Sequence, residues 1–579
     1  MIQSDGHEEK RSTSRRAADI GDRRGFGIDR SRGGLILLAL CSAALIINID
    51  VTIVNVTLPS LVRQLGATTT NLQWVVDAYS LVFAALILAA GSLSDRFGRK
   101  GVLLGGLVVF ATGSLAGSFA STPNQLIAAR AFMGIGAAAI FPSTLSLIAN
   151  IFTERSERAK AIGLWGATTG VGVAIGPIVG GWLLGHFWWG SVFLFMVPVA
   201  AVVGALIGFA VPTSRDPSTP PIDWRGLLLS TAGMGLIILS IIQAPTWGWI
   251  SARTIGAVVA GLAIMAVFVL VELRTARPML DVSLFENPRF TAASGSIMIA
   301  FFALAGFTFL VSQYFQFVRG YTPLGTGVRI LPVAISIAVA AVVGTKLAVQ
   351  IGNKAVVAAG LFAFGLALFW ISASASVSAS YVVLAATMIL GGGGLGLITA
   401  PATEAIMGVV PKEKAGVGSA VNDATRLFGA TLGVAVIGSI AASLYASRLG
   451  TTIPPDLPLQ AAAAAKGSVG GALVAAQGLQ QAGLPVPAQA LATSAIDAFL
   501  HSFAWSLRVA GLVAFGGAIL AAALLPSRPG RKTSSDIEID RDVVDVAALE
   551  PVLSTDGEVD PADPILVTDP TVGTDEEPT

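Results

Sequence analysis

The chain has 579 residues, 54% of them hydrophobic, and 36 Lys and Arg balance 35 Asp and Glu to a formal net charge of +1. Charged residues make up 12%, about half of what a soluble domain carries, which excludes water as the main solvent. A single cysteine, Cys41, excludes an internal disulfide, and the three histidines (His7, His186, His501) lie too far apart in sequence for a ligand motif, so no metal site or cofactor is expected.

In chain order, residues 1–34 mix arginines with acids and serines and lack a short apolar core with a cleavage site, so they read as a disordered tail before an uncleaved first span. Apolar runs of about 20 residues follow, each long enough to cross a hydrocarbon core as a helix and too evenly apolar for the alternating strands of a barrel. Membrane helices are predicted at 35–58, 74–93, 101–120, 124–149, 160–184, 191–211, 226–243, 254–273, 291–313, 325–346, 355–373, 380–408, 417–445 and 500–525, about fourteen in all. The Ala-, Gly-, Gln- and Pro-rich stretch 450–497 reads as a flexible or partly helical external loop, and residues 526–579, acidic towards their end, as an unfolded tail. An even count places both termini on one side. The connections on that side hold most of the basic residues, among them Arg155, Arg158, Lys160, Arg274, Arg277 and Arg289, which makes it the cytoplasmic side.

Several polar residues fall inside these runs. Asp50 lies well within the first, where an ionised carboxylate costs on the order of 3 kcal/mol; it can carry a proton, face a cation, or pair with a polar neighbour to pack helices. Asp77 follows the interfacial Trp74 and is either a helix-start acid favoured by the dipole or an entry point for protons and cations. Arg130, near the outer end of the fourth helix, either snorkels to the headgroups or turns inward. Gly172, Gly176 and Gly180 recur every fourth residue and give the fifth helix a bare stripe for close packing, with Gly181 beside it and Pro177 bending it. Asn48, Asn55, Tyr79, Trp165, Thr168, Phe307, Gln313, Tyr314 and Gln316 are the polar and aromatic residues that could line a central path, whereas Glu404 and Asp423 suit structural roles.

The stretch Gly91-Ser-Leu-Ser-Asp-Arg-Phe-Gly-Arg-Lys100 gathers charges between the second and third helices. Arg96, Arg99 and Lys100 would serve as topology anchors, but an anchor gains nothing from Asp95, and Gly91 and Gly98 point to a tight turn and close helix approach. Asp95 can instead make charge-assisted bonds to helix ends of the other half in one state and release them in another, as a cytoplasmic latch. A weaker copy, Leu347-Ala-Val-Gln-Ile-Gly-Asn-Lys354, lies between helices ten and eleven, and Gly393 and Gly396 before Pro401 echo Gly134 and Gly136 before Pro142. Both matches map helices one to six onto nine to fourteen and leave seven and eight as an insertion.

With these motifs in place the sequence resembles the major facilitator superfamily and, within it, the fourteen-helix drug:proton antiporter family, over roughly residues 35–525. The charged loop matches the superfamily pattern Gly-x-x-x-Asp-Arg-x-Gly-Arg-Lys. Ile49-Asp-Val-Thr-Ile-Val-Asn-Val-Thr-Leu-Pro59, Ala129-Arg-Ala-Phe-Met-Gly-Ile-Gly136 and Gly172-Val-Ala-Ile-Gly-Pro-Ile-Val-Gly-Gly181 are similar to the family's motifs in helices one, four and five. Trp188-Trp-Gly-Ser-Val-Phe-Leu-Phe-Met-Val-Pro198 departs from the pattern at helix six, lacking its Arg and Asn. The resemblance implies an all-α polytopic fold of two six-helix bundles, 35–211 and 291–525, with two inserted helices and linkers at 212–290. It also implies that Arg130 sits beside Asp50 and sets how firmly that acid holds its proton, and that the glycine-rich fifth helix lies between the halves and limits proton leak.

The expected function is proton-driven export of amphipathic or hydrophobic compounds across the cytoplasmic membrane by alternating access. Its partners are small molecules, protons and lipid, with no nucleic acid, and a monomer is expected. No Gly-x-x-x-x-Gly-Lys-Ser/Thr loop is present to support an ATP-driven pump. An exporter of one lipid, siderophore or endogenous antibiotic would use the same fold, and competition among unrelated compounds separates the two. A membrane enzyme would need paired acids or a His-Asp set in one interfacial loop, and neither is found; a transporter-like receptor would bind without moving protons.

Overall fold

The computed structural model describes residues 30–214, 223–275, 278, 280–410, 415–453 and 457–525. Both stretches read as tails fall outside these residues, except that 30–34 already belong to a helix. The helices are α1 (Arg30–Leu65), α2 (Thr69–Phe97), α3 (Arg99–Ser118), α4 (Pro123–Ile151), α5 (Arg155–His186), α6 (Ser191–Ala210), α7 (Trp224–Trp247), α8 (Ala252–Arg274), α9 (Pro288–Gln313), α10 (Pro323–Ile351), α11 (Asn353–Ser374), α12 (Tyr381–Met407), α13 (Ala415–Thr452), α14 (Leu459–Gly467), α15 (Val469–Gln481) and α16 (Pro485–Leu524). All but α14 and α15 are long and apolar enough to cross a membrane, which makes fourteen spans. Among the described residues there is no strand.

Local chemistry sets the ends. Thr68 and Asn71 exchange hydrogen bonds in a capping box that starts α2, and Thr122-Pro123 and Thr322-Pro323 place a capping hydroxyl before a proline at the first helical position of α4 and α10. Gly98, at φ +112°, ends α2 and turns directly into α3; Gly352, at φ +88°, does the same between α10 and α11.

Helices α1–α6 pack into one bundle, α9–α13 with α16 into a second, and α7 and α8 pair with each other against α2 and α13. The internal repeat is visible atom by atom, and it corrects the expected register. A Cβ on Gly136 would meet Phe110 N at 2.6 Å, and one on Gly394 would meet Phe364 N at 2.8 Å. Likewise Gly134 lies against the backbone of Tyr79, and Gly392 against that of Val333. The partners of Gly134 and Gly136 are therefore Gly392 and Gly394, not Gly393 and Gly396; Gly393 has open space around its Cα.

The two bundles meet at the face opposite the one where α1 begins and α16 ends, here the distal face; the other is the terminal face. Near the distal face a Cβ on Gly181 would strike Leu324 Cα at 2.5 Å, and one on Gly327 would strike Pro177 C at 2.7 Å, so α5 and α10 touch backbone to backbone. Gln316 Nε2 donates to Val56 O at 2.9 Å, and Arg63 Nη2 donates to Gln316 Oε1 at 3.2 Å. Towards the terminal face the same helices part: Gly163, Gly166 and Gly170 of α5 meet nothing, Leu164 is 57% exposed, and Val342 and Val349 of α10 are 61% and 75% exposed. The molecule is closed distally and open at the terminal face.

The stretch 450–497, expected as a flexible or partly helical loop, is helical over most of its described residues: the end of α13, two short helices and the first turns of α16. Forty residues of α16 span about 60 Å, twice a hydrocarbon core, so its first half stands clear of the membrane. Tyr445 Oη donates to Ala465 O at 2.9 Å and Thr69 Oγ1 donates to Gly467 O at 3.2 Å, which docks α14 on the distal ends of α13 and α2. Gly470 of α15 allows Phe317 and Val62 to pack against the backbone there. Alanine- and glycine-rich composition hid these helices because most of the side chains they bury are small, Ala465, Gly470, Ala472 and Ala476 among them.

Candidate functional site

At the centre of the first bundle Asp50 of α1 and Arg130 of α4 are 0% and 1% exposed, and Arg130 Nη1 donates to Asp50 Oδ2 at 2.6 Å. Arg130 does not snorkel. Its Nε donates to Val75 O at 3.1 Å, and its guanidinium lies 4.1 Å from the centroid of the Tyr79 ring. The second carboxylate oxygen, Asp50 Oδ1, and the Tyr79 hydroxyl are both buried, and the two side chains interact with each other. Charged groups taken this far from water are retained only when held in good geometry, and removing one partner of such a pair costs about 3–5 kcal/mol.

From Tyr79 a file of rings runs through the bundle. Tyr79 meets Phe83 at 5.9 Å, Phe83 meets Phe141 at 6.0 Å, and Phe141 meets Trp165 at 4.9 Å between centroids. Trp165 Nε1 donates to Thr144 Oγ1 at 2.9 Å, and Thr168 Oγ1 donates to Trp165 O at 2.6 Å.

Asp77 is not at a helix start. The capping box places it two turns inside α2, where it is 0% exposed and both its oxygens lack a hydrogen-bond partner. One turn away on the same face, Gln73 Nε2 donates to Ala435 O and Ser439 Oγ of α13, each at 3.0 Å. The acid therefore sits on the stripe of α2 that faces the second bundle.

The glycine stripe of α5 is also displaced from its expected setting. A Cβ on Gly172 would meet Asn48 Cβ at 2.5 Å and one on Gly180 would meet Ile53 Cγ1 at 2.5 Å, while Gly176 lies under Thr52. Thr52 Oγ1 donates to Gly172 O at 3.0 Å. The stripe packs α5 on α1 within the first bundle. Contact between the bundles is made by its neighbours Gly181 and Pro177 instead, because they lie on the adjoining face.

In the charged loop, Asp95 Oδ1 accepts from Arg99 Nε at 2.6 Å and from Ser146 Oγ at 3.0 Å. Arg99 Nη1 donates to Ser214 Oγ at 3.1 Å and Lys100 Nζ to Gly208 O at 2.8 Å. Arg96 lies over Phe97, and Gly91 lets α2 approach Pro142 of α4. Every one of these partners belongs to the first bundle or the segment leaving it, so the loop ties α2, α3, α4 and α6 together, and among the described residues these bonds do not reach the second half.

The remaining path residues divide. Asn48 and Asn55 donate to carbonyls of their own helix, Ala44 O at 2.8 Å and Val51 O at 3.2 Å. Gln313 does the same with Phe309 O at 3.1 Å, while Gln316 bridges the halves as described. Phe307 faces a void inside the second bundle, with Leu304, Val333 and Phe364. Tyr314 is a correction: it is 0% exposed, stacks on Phe503 at 5.1 Å and donates its hydroxyl to Ser376 O at 2.7 Å, so it is core and lines no path. Gln73 and Arg63 were not foreseen as site residues; a glutamine inside an apolar run beside Trp74 was the available signal.

Comparison with known proteins agrees with this architecture. Residues 40–434 match the Major Facilitator Superfamily. The chain is 35% identical to the multidrug efflux pump LfrA of Mycolicibacterium smegmatis over 501 residues, which is 86% of this chain and 96% of LfrA. It is 35% identical to the multidrug resistance protein Stp of Mycobacterium tuberculosis, covering 73% of this chain and 78% of Stp. A bacterial homologue of the human lysosomal transporter Spinster, solved inward-facing and occupied, superposes with a TM-score of 0.62 at 16% identity, covering 86% of this chain and 98% of the other. The protein is thus a multi-pass membrane transporter and not an enzyme, a member of the major facilitator superfamily and of its fourteen-helix drug:proton antiporter family.

Proposed function

We propose that this protein exports amphipathic, hydrophobic small molecules across the cytoplasmic membrane in exchange for protons, by alternating access. The observation that carries the reading is the buried Asp50–Arg130 pair at the centre of the first bundle. A proton arriving on Asp50 weakens its hold on Arg130; a proton leaving restores it, so the occupancy of one acid is transmitted to the packing of α1 against α4. Asp77 is the second proton carrier. An ionised carboxyl without partners is costly at such a place and a protonated one far less so, and opening the seam between α2 and α13 would bring it to water. The relatives named for multidrug efflux and resistance support the cargo class.

The basic connections orient the terminal face to the cytoplasm, so the conformation described is inward-open. Each inward proton then gains about 2.3 kcal/mol per 100 mV of membrane potential. In proteoliposomes, a lipophilic cation added on one side should drive a counterflow of protons, read with an entrapped pH dye. Cation accumulation with no proton movement overturns the antiport, and binding with neither flux makes the protein a receptor.

Asp95 serves in this cycle as the latch, engaged with the second half only when the terminal face closes. Asp95→Asn removes the negative charge that Arg99 pairs with and leaves only an amide oxygen to accept from Arg99 and Ser146. It should change the accessibility of reporter cysteines on the two faces in opposite directions by about threefold to tenfold, since the two states are nearly isoenergetic. Unchanged labelling on both faces would count against the latch.

A further inference from the structure

The short helices that cover the distal face leave a cavity beneath them. It lies between α15 and the first turns of α16, over the distal ends of α1 and α9, and measures about 520 Å³, within the range of small-molecule sites. Leu473 and Phe317 give it an apolar part; Arg63, Gln477, Gln480 and Gln489 give it a polar one. All three of these glutamines are exposed, on helices that stand clear of the membrane, so the cavity is reached from water.

Its charge has one sign. Arg63 is the single ionisable side chain among the described residues that line it, and Gln316, whose Oε1 accepts from Arg63 Nη2 at 3.2 Å, is a neutral partner. The guanidinium lies 5.6 Å from the centroid of the Phe317 ring and pairs with no carboxylate among the described residues. Asp497, farther along α16, is held by Arg448 Nε at 2.9 Å. A guanidinium presents its N–H groups in a planar fork that fits a carboxylate or sulfonate, and one amide oxygen leaves most of that fork free. Such a group in a cavity partly lined by hydrocarbon suits an anion joined to an apolar body, and the glutamine amides can donate to its remaining oxygens without adding charge. A cationic cargo has the wrong sign for this cavity.

The walls come from both halves. Arg63 is carried by α1 of the first bundle, whereas Gln316 continues α9 and Gln489 belongs to α16 of the second. We infer that the cavity binds a water-borne organic monoanion, its acid group on Arg63 and its apolar body against Leu473, and that the bound anion braces the halves in the distally closed state. These walls part when the distal face opens, so the ligand favours the closed state and acts as a brake on the cycle. The site is independent of what is exported; the brake rests on the proposed alternating access.

4-Benzoylbenzoate is a photoreactive carboxylate of this kind. Photolysed with the full chain in phosphatidylcholine proteoliposomes, it should label peptides of α15 or the first turns of α16, and its neutral amide should label them about tenfold less, the scale of one charge-assisted bond. Arg63→Gln should lower labelling by the acid to the level of the amide. Gln477 is exposed, so Gln477→Glu and Gln477→Lys leave packing and helix propensity nearly unchanged while cancelling the charge of Arg63 or doubling it. Labelling should fall severalfold in the first and rise in the second. Added at the distal side in the dark, the anion should slow gradient-driven movement of a lipophilic cation severalfold in wild-type protein and much less in Gln477→Glu, whose rate without the anion should match wild type. Equal labelling by acid and amide, or labelling indifferent to the charge at position 477, overturns the site. Labelling of the same peptides by a photoreactive phosphatidylglycerol that 4-benzoylbenzoate does not displace assigns the cavity to lipid and overturns the water-borne ligand. Labelling that follows the charge without any slowing of transport overturns the brake. If wild-type protein moves no cation on a gradient, labelling still decides the site and it is the export reading that fails.

Discussion

Asp50→Asn is expected to leave the protein inserted and folded yet reduce gradient-driven export by at least about 100-fold, the scale on which removing a group that must exchange a proton acts. Asparagine keeps the size and an acceptor oxygen for Arg130 Nη1, and Arg130 retains its bond to Val75 O and its place over Tyr79. What it cannot do is gain and lose a proton. The guanidinium then lacks a counter-charge in a site closed to water, and breaking such a pair costs about 3–5 kcal/mol, so thermal stability in detergent should fall as well. Asp50→Asn with Arg130→Gln separates the two effects: with both charges gone, stability should recover while coupled transport stays lost. Substrate binding, measured by fluorescence quenching or equilibrium dialysis, should survive in both variants. Full gradient-driven transport by Asp50→Asn would sink the assignment of Asp50 as the coupling acid.

The contrast between what the sequence discloses and what it hides follows from range. Span number was legible because each helix satisfies its own backbone and must be apolar over one continuous window. The turn at Gly98 and its counterpart at Gly352 were legible because positive φ is written locally as glycine. Partners distant in the chain were not. Gly172, Gly176 and Gly180 announce a close neighbour but not its identity, and the side of α5 they occupy turned out to face α1. Beside Trp74, Asp77 suits either a helix start or an entry point for protons and cations; the helix start is ruled out because Thr68 and Asn71 begin the helix two turns earlier, and the sequence does not show that α13 receives Gln73. The span predicted at 500–525 marks only the membrane part of α16; its first turns leave the membrane, and there apolarity ceases to mark the helix and only Pro485 at its first position does.

Gly327→Ala should prevent the distal face from closing. A Cβ there would lie 2.7 Å from Pro177 C and 3.2 Å from Ile178 N, atoms of a helix backbone that cannot rotate aside as a side chain can. Relief requires α5 and α10 to separate where they hold the halves together. Overpacking of this kind costs about 1–3 kcal/mol, and because the strain exists only in the distally closed state, it shifts the two-state balance by about 5–150-fold. Thr326, wholly buried and next to Gly327 in the chain, provides the reporter: in a Cys41→Ser background, Thr326→Cys should resist a membrane-impermeant maleimide applied at the distal face and become reactive when Gly327→Ala is added. Gly172→Ala is the control. Its Cβ would meet Asn48 Cβ at 2.5 Å, but α1 and α5 belong to one bundle and move together, so it should lower stability without exposing position 326. Equal protection of Thr326→Cys with and without Gly327→Ala, together with undiminished transport, would mean that the α5–α10 contact is not what closes the distal face.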